Sequence, residues 1–194
     1  MVVAALKVAD VLVRDDPLQL ALGWAAAALL GIATVRPGAL AIAAMGAASN
    51  VWFEPSNHTS LIMWCGLMVA VLRPEDVAGV ARWLATAVYA FATAHKLLGG
   101  DFLDGHLIAA RFFWEDAPFR LMAIGAVASQ LALALLVALR LRVAVPLSVL
   151  LHVGIVVVMS ATLGHYLRLG GFNGLMIVLV VVATRRAPHP QPQV

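Results

Sequence analysis

Residues 118–139 read PFRLMAIGAVASQLALALLVAL, and Arg120 is the one charged residue among them. A helix that crosses the hydrocarbon core of a bilayer needs about 20 predominantly apolar residues, which this stretch supplies. Lipid offers no hydrogen-bond partner to an open backbone, so a spanning segment must be helical. The stretch therefore predicts a transmembrane helix and a helical fold around it.

Further apolar runs, separated by charges, Gly and Pro, lie on both sides of this stretch. They cover residues 18–35, 38–53, 58–72, 77–98, 143–164 and 170–184. Together with 118–139 they predict an all-α fold, a polytopic transmembrane helical bundle with about seven membrane helices. The runs 38–53, 58–72 and 170–184 are short, so one of them is expected to tilt or to stop partway across.

The composition supports a membrane protein. Of 194 residues, 63% are hydrophobic and 12% charged, against roughly 25% charged in a soluble domain. The net charge of +3 does not indicate a nucleic-acid partner, because the arginines fall between apolar runs, where membrane proteins carry their topogenic charge. The single cysteine, Cys65, excludes an internal disulfide and a CxxC metal or redox motif.

The chain divides into three predicted parts. Residues 1–16 predict an amphipathic helix on the membrane surface, 17–186 the transmembrane bundle, and 187–194 a Pro-rich disordered tail. Counting Lys and Arg on the two sides favours a cytoplasmic C-terminus. Abundant Ala, Val, Leu and Arg are typical of a GC-rich bacterium, so we expect the bacterial inner membrane, with the lipid bilayer as a partner.

Placing a polar residue against lipid costs free energy, so polar residues inside or beside apolar runs are expected to have a structural or functional role. Asn57 and His58 lie between the second and third runs, where the simpler interpretation is an interfacial loop in which Ser56 or Asn57 caps a helix. His95 and Lys96 end the fourth run. Lys96 either extends to the membrane interface or is a partly desolvated amine available as a base.

His152 lies in the middle of the sixth run and His165 near its end. A hydrogen-bonded core histidine is the simpler interpretation of His152. A haem would need two axial histidines on facing helices, which His95 and His152 could supply, although their spacing does not require it. No metal site is predicted.

Alternating loops emerge on opposite membrane faces. With seven spans, the loop after the second and the loop after the fourth share one face. Asn57, His58, His95 and Lys96 are therefore expected to open to the same side and to meet in one cavity.

These residues resemble a known family. Asn57-His58 followed by Ser60-Leu61 resembles the Asn-His segment of vitamin K-dependent gamma-carboxylases. Tyr89…Lys96-Leu97…Asp101-Phe102-Leu103-Asp104-Gly105 is similar to their Lys-Leu…Asp-Trp-x-x-Gly segment, and 152–164 to their closing helices. The shared module is the HTTM (horizontally transferred transmembrane) domain, distantly similar to DoxX-like bundles, and the resemblance covers about residues 18–184.

The resemblance implies a cofactor and roles for individual residues. In the carboxylases the matching lysine deprotonates a reduced quinone. Carried over, Lys96 is the catalytic base, with His58 and Asn57 as its catalytic hydrogen-bonding partners, and His95 and His152 are candidates for contacting the cofactor. The carboxylases continue into a large β-rich domain that these residues do not contain, and Phe102 stands at their Trp position. Quinone binding is therefore better supported than peptide carboxylation.

A non-catalytic subunit that anchors or assembles a larger membrane complex is the alternative, with other membrane subunits as partners. A lipid or small-molecule carrier is a third. A subunit needs a helix face of small residues against which a partner can pack. The second run supplies one: Gly38, Ala39, Ala41, Ala43, Ala44, Gly46, Ala47 and Ala48. The same stripe would equally serve packing inside the bundle.

Overall fold

The computed structural model describes residues 25–26, 28, 36–52, 57–99, 102–105, 108, 118–159 and 163–185. These residues form six α-helices and, within the described part of the chain, no strand. In chain order the helices are α1 Arg36–Trp52, α2 Asn57–Val71, α3 Pro74–Leu98, α4 Pro118–Ala138, α5 Ala144–Met159 and α6 Leu163–Ala183. The predicted all-α fold is confirmed for the described residues.

Four of the helices close into a ring. α3 packs against α4 and α6, and α5 packs against the same two helices from the opposite side. α1 packs on α2, and α2 contacts α3. One apolar core runs through all six helices, and its largest fully buried side chains include Ile62, Leu133, Leu175 and Leu179.

The bounds of α3 follow from its sequence. Pro74 is at the start of the helix, where its missing N–H is not needed. Glu75 and Asp76 lie in the first turn, where negative charge complements the helix dipole. At the other end, the Gly99 N–H donates to the His95 carbonyl at 2.9 Å and completes the last turn.

Most of the small-residue stripe of α1 packs against α2 of the same protein. Ala39 is fully buried, Ala43 and Gly46 are buried, and this face packs on α2. A Cβ added to Gly66 of α2 would lie 2.8 Å from the Ala39 carbonyl oxygen, and one added to Gly46 would lie 3.1 Å from the Met63 Cβ. Glycine at both positions lets the two backbones approach closely.

The prediction of seven spanning helices is not supported by the described helices. Two of them, Pro74–Leu98 and Phe119–Ala138, are long and apolar enough to cross a membrane. α1, α2 and α5 have 17, 15 and 16 residues and rise only about 23–26 Å, less than the roughly 30 Å hydrocarbon core. α6 begins at Leu163, so its first turns include Arg168 and its apolar part is shorter than the helix.

Three predictions concern residues that the structure does not describe. The interfacial helix at 1–16, nearly all of the first apolar run at 18–35 and the Pro-rich tail at 187–194 lie outside the described residues. These assignments stay predictions.

Candidate functional site

A cavity of about 590 Å³ lies in the half of the bundle where α3 ends. Side chains from α2, α3, α4, α5 and α6 line it, and most of them are apolar. The polar or charged side chains of its lining are Ser60, Tyr89, His95, Lys96, Gln130, His152 and Asn173. An apolar cavity with a few convergent polar groups, within the usual range of roughly 300–1,000 Å³, is typical of a small-molecule site.

Lys96 reaches this cavity from the last turn of α3. Its Nζ atom donates a hydrogen bond to the Oε1 atom of Gln130 in α4 at 3.0 Å. The same nitrogen lies 5.2 Å from the centroid of the Phe102 ring, within the range of a cation–π interaction. Lys96 is half-buried and Gln130 is buried, so the amine is held against α4 and only part of the side chain is open to solvent.

A glycine supports the Phe102 contact. Gly105 adopts a φ of 85°, and a Cβ there would lie 2.6 Å from the backbone of Phe119 and Arg120. Only glycine fits this left-handed conformation at so close an approach. The turn at 102–105 therefore packs on the start of α4 and holds Phe102 beside Lys96.

A second polar group lies deeper in the same cavity, on three helices. Tyr89 of α3 and His152 of α5 are both buried, and the tyrosine hydroxyl lies 2.7 Å from His152 Nε2. The hydroxyl also lies 3.2 Å from the Oγ atom of Ser148, one turn before His152. On its other side, His152 Nδ1 hydrogen-bonds the Oδ1 atom of Asn173 in α6. We call Ser148, Tyr89, His152 and Asn173 the polar relay.

The structure locates the five predicted site residues as follows. Lys96 and His95 both line the cavity, with Lys96 half-buried and His95 exposed at its rim. His152 lines it from α5. Asn57 and His58 begin α2, but their side chains lie outside the described part of the structure. Ser60 of the same helix does line the cavity.

The prediction that Asn57, His58, His95 and Lys96 meet in one cavity is therefore tested only in part. Of the four residues predicted to meet in one cavity, His95 and Lys96 line the same one, and His152, which was not part of that prediction, lines it too. The sharing of that cavity by His58 and Lys96 stays a prediction. Both ring nitrogens of His152 are hydrogen-bonded within the protein, as the core-histidine interpretation expects, which leaves neither nitrogen free for haem ligation in this conformation.

Four residues of the site were given no role from the sequence: Gln130, Ser148 and Asn173, which were not named, and Tyr89, which was named only as the start of the 89–105 segment. Each is an uncharged polar residue inside an apolar run. The signal that could have found them is the same penalty that applies to ionisable groups in lipid, extended to hydroxyl and amide side chains. Gln130 and Ser148 lie in the two runs with the clearest apolar character.

The described residues contain no group of three or more His, Cys, Asp or Glu side chains able to hold a metal ion. Comparisons with known proteins give no match, whether to a family model, to a curated protein or to a solved structure.

Proposed function

We propose that this protein is an integral membrane protein that binds a reduced quinone in the cavity and uses Lys96 as the base that deprotonates it. The observation that carries the proposal is the half-buried Lys96 amine, which lines an apolar cavity and has Gln130 as its hydrogen-bond partner. The resemblance of 57–61, 89–105 and 152–164 to the quinone-dependent HTTM module supports the same ligand.

The surface of the helices supports the membrane part of the proposal. α4 exposes Leu121, Ile124, Leu131 and Leu135, and α3 exposes Phe91 at 68%. Only 28% of the apolar window in α3 is buried inside the protein, so most of its apolar surface is open to a surrounding bilayer. Exposed apolar faces of this extent are unfavourable in water and normal against lipid.

The charges at the two ends support an orientation. Arg36, Arg73, Arg140, Arg142 and Arg185 lie at the end of the bundle opposite the cavity, because the helices alternate in direction. We call this the arginine end. Cytoplasmic flanks are enriched in Lys and Arg, so the arginine end and the C-terminal end of α6 are proposed to face the cytoplasm. A cysteine introduced at Arg142 should then react with membrane-impermeant maleimide only in inverted vesicles.

The chemistry proposed for Lys96 is a proton transfer. The neutral amine accepts the hydroxyl proton of the quinol, which leaves a quinolate and an ammonium. Gln130 accepts a hydrogen bond from that ammonium, and the face of Phe102 attracts it. Both contacts therefore stabilise the state that the transfer forms.

Ligand binding can be tested through a tryptophan. Trp64 lines the cavity, so anaerobic titration of menadiol into the protein in nanodiscs should quench its fluorescence. The Trp64→Phe variant should lose most of the saturable quenching. Trp83→Phe is the matched control, because Trp83 is exposed on α3 and is not among the residues that line the cavity. Equal quenching in both variants would contradict a ligand in this cavity.

The base role has a separate test. Deprotonated menadiol reacts with oxygen, so the protein should accelerate oxygen uptake by menadiol above the rate in empty nanodiscs. Lys96→Met should abolish the acceleration, and Lys96→Arg should fail too, because a guanidinium stays charged and cannot accept a proton. Acceleration that persists in both variants would rule out the base role and favour the subunit alternative, for which Ala41 and Ala44 are the exposed part of the α1 stripe.

A further inference from the structure

The direction of every hydrogen bond in the polar relay follows from one amide. The Nδ2 atom of Asn173 donates to the carbonyl of Leu169, one turn earlier in α6, at 2.7 Å. An amide nitrogen donates and an amide oxygen accepts, so Oδ1 is the atom that faces His152. The Nδ1 atom of His152 must then carry a proton and donate it to Asn173.

The second nitrogen of the ring is consequently an acceptor. An imidazolium at this position would be a buried cation whose two contacts, Tyr89 and Asn173, are both neutral, an arrangement that proteins avoid. In the neutral ring with a proton on Nδ1, Nε2 has a lone pair and no proton. The Tyr89 hydroxyl therefore donates to Nε2 at 2.7 Å.

Because the Tyr89 hydroxyl already donates its one proton to His152, its oxygen can only accept further hydrogen bonds. Ser148 supplies one donor at the longer distance of 3.2 Å. Tyr89, His152 and Asn173 are among the residues that line the cavity, and Tyr89 itself is buried. A ligand that reaches this wall therefore meets an oxygen that can accept a hydrogen bond and has no proton left to donate.

We propose that the polar relay makes the cavity selective for the redox state of its ligand: it binds the hydroxyl of a hydroquinone and disfavours the carbonyl of the corresponding quinone. This inference rests on the proposed function and adds to it which residues distinguish the reduced form from the oxidised one. A hydroquinone hydroxyl donates to the Tyr89 oxygen. A quinone carbonyl at the same place brings two acceptors together with no proton between them.

The position of Lys96 agrees with this selectivity. Lys96 follows Tyr89 by seven residues on α3, which places it on the same helix face and two turns, about 10 Å, along the axis. A ring with hydroxyl groups on opposite sides can direct one of them to each residue.

The test compares the affinities of menadiol and menadione by anaerobic titration calorimetry in nanodiscs, with empty nanodiscs as the blank. The wild-type protein should bind menadiol roughly three- to tenfold more tightly, the range that one hydrogen bond contributes. Tyr89→Phe should bring the two affinities to within about twofold of each other, because the acceptor is gone. Thr93→Val is the matched control, since Thr93 donates to the Tyr89 backbone carbonyl and does not contact the relay hydroxyl.

Asn173→Asp tests the direction of the relay. A carboxylate beside Nδ1 favours the imidazolium, whose Nε2–H would donate to Tyr89 and turn the tyrosine proton toward the ligand. The preference should then shift to menadione. Equal affinities of the two forms in the wild type, or an unchanged preference in Tyr89→Phe, would overturn the selectivity while leaving quinone binding intact. Failure of both ligands to bind the folded wild type would overturn the proposed function as well.

Discussion

The two halves of α3 use the same stripe of buried positions for different purposes. In the first half the stripe consists of Val77, Ala81 and Ala85, which are small and apolar. In the second half it continues at the same spacing with Tyr89 and Thr93, and Lys96 follows. The spacing shows which face of the helix points inward. The residue types show where the interior changes from a packed core to a cavity.

The largest expected effect comes from the same substitution made in each half. Ala81 is fully buried, so Ala81→Leu forces extra volume into a packed core and should lower the free energy of unfolding by about 1–3 kcal/mol. Ala92 lines the cavity, so Ala92→Leu has empty space to enter. It should leave stability nearly unchanged and weaken menadiol binding. Chemical unfolding in mixed micelles measures the first quantity and calorimetry the second.

The opposite pattern would break the comparison. If Ala92→Leu destabilised the protein as much as Ala81→Leu, the second half of α3 would be packed as tightly as the first. A cavity beside the second half would then not be what distinguishes the two halves of α3.

Much of the helical framework could be predicted from the sequence. The runs 58–72, 77–98 and 118–139 correspond closely to α2, α3 and α4, because charges, Pro and Gly mark the ends of helices locally. The end of α5 and the start of α6 were not predicted. The predicted run 143–164 extends past Met159, where α5 ends, because no charged residue lies between the two helices.

The candidate site was predicted only in part. Lys96 stood out because a cation beside lipid is rare, and His152 because it interrupts an apolar run. The lipid penalty marks Tyr89 and Asn173 only as polar residues in apolar runs, and their contacts with His152 become visible only when three helices come together. Sequence spacing on one helix does not contain that information, whereas the pairing of α3, α5 and α6 does.

A smaller effect is expected at the arginine end, in the turn between α4 and α5. Arg140 adopts a φ of 56° and is the one non-glycine residue with a positive φ among the described residues. The Leu141 N–H bonds the Leu136 carbonyl at 2.8 Å, the pattern of a helix end that favours glycine. Arg140→Gly should raise the free energy of unfolding by about 1 kcal/mol.

Arg142 provides the control for this change. It lies two residues later in the same turn, without a positive φ, so Arg142→Gly should give no stabilisation. Neither variant should alter the ratio of menadiol to menadione affinity, because the turn is at the opposite end of the bundle from the cavity. A changed ratio in Arg140→Gly would show that the two ends are coupled.

The smallest effect on stability is expected for Ser148→Ala. This variant removes one hydrogen bond of the polar relay and leaves the direction of the others unchanged, so it tests the role of the Tyr89 oxygen most directly. Ser148 and a bound hydroquinone both donate to the Tyr89 oxygen, so they compete for its lone pairs. Ser148→Ala removes one weak hydrogen bond and should lower the free energy of unfolding by about 0.5–1 kcal/mol. It leaves the bonds from Tyr89 to His152 and from His152 to Asn173 in place, so Tyr89 is still an acceptor and has more capacity for the ligand. The preference for menadiol should therefore increase, as measured by the same calorimetric titrations. A decrease would mean that the serine orients the tyrosine instead of competing with the ligand, and the acceptor would then be the Ser148–Tyr89 pair and not Tyr89 alone.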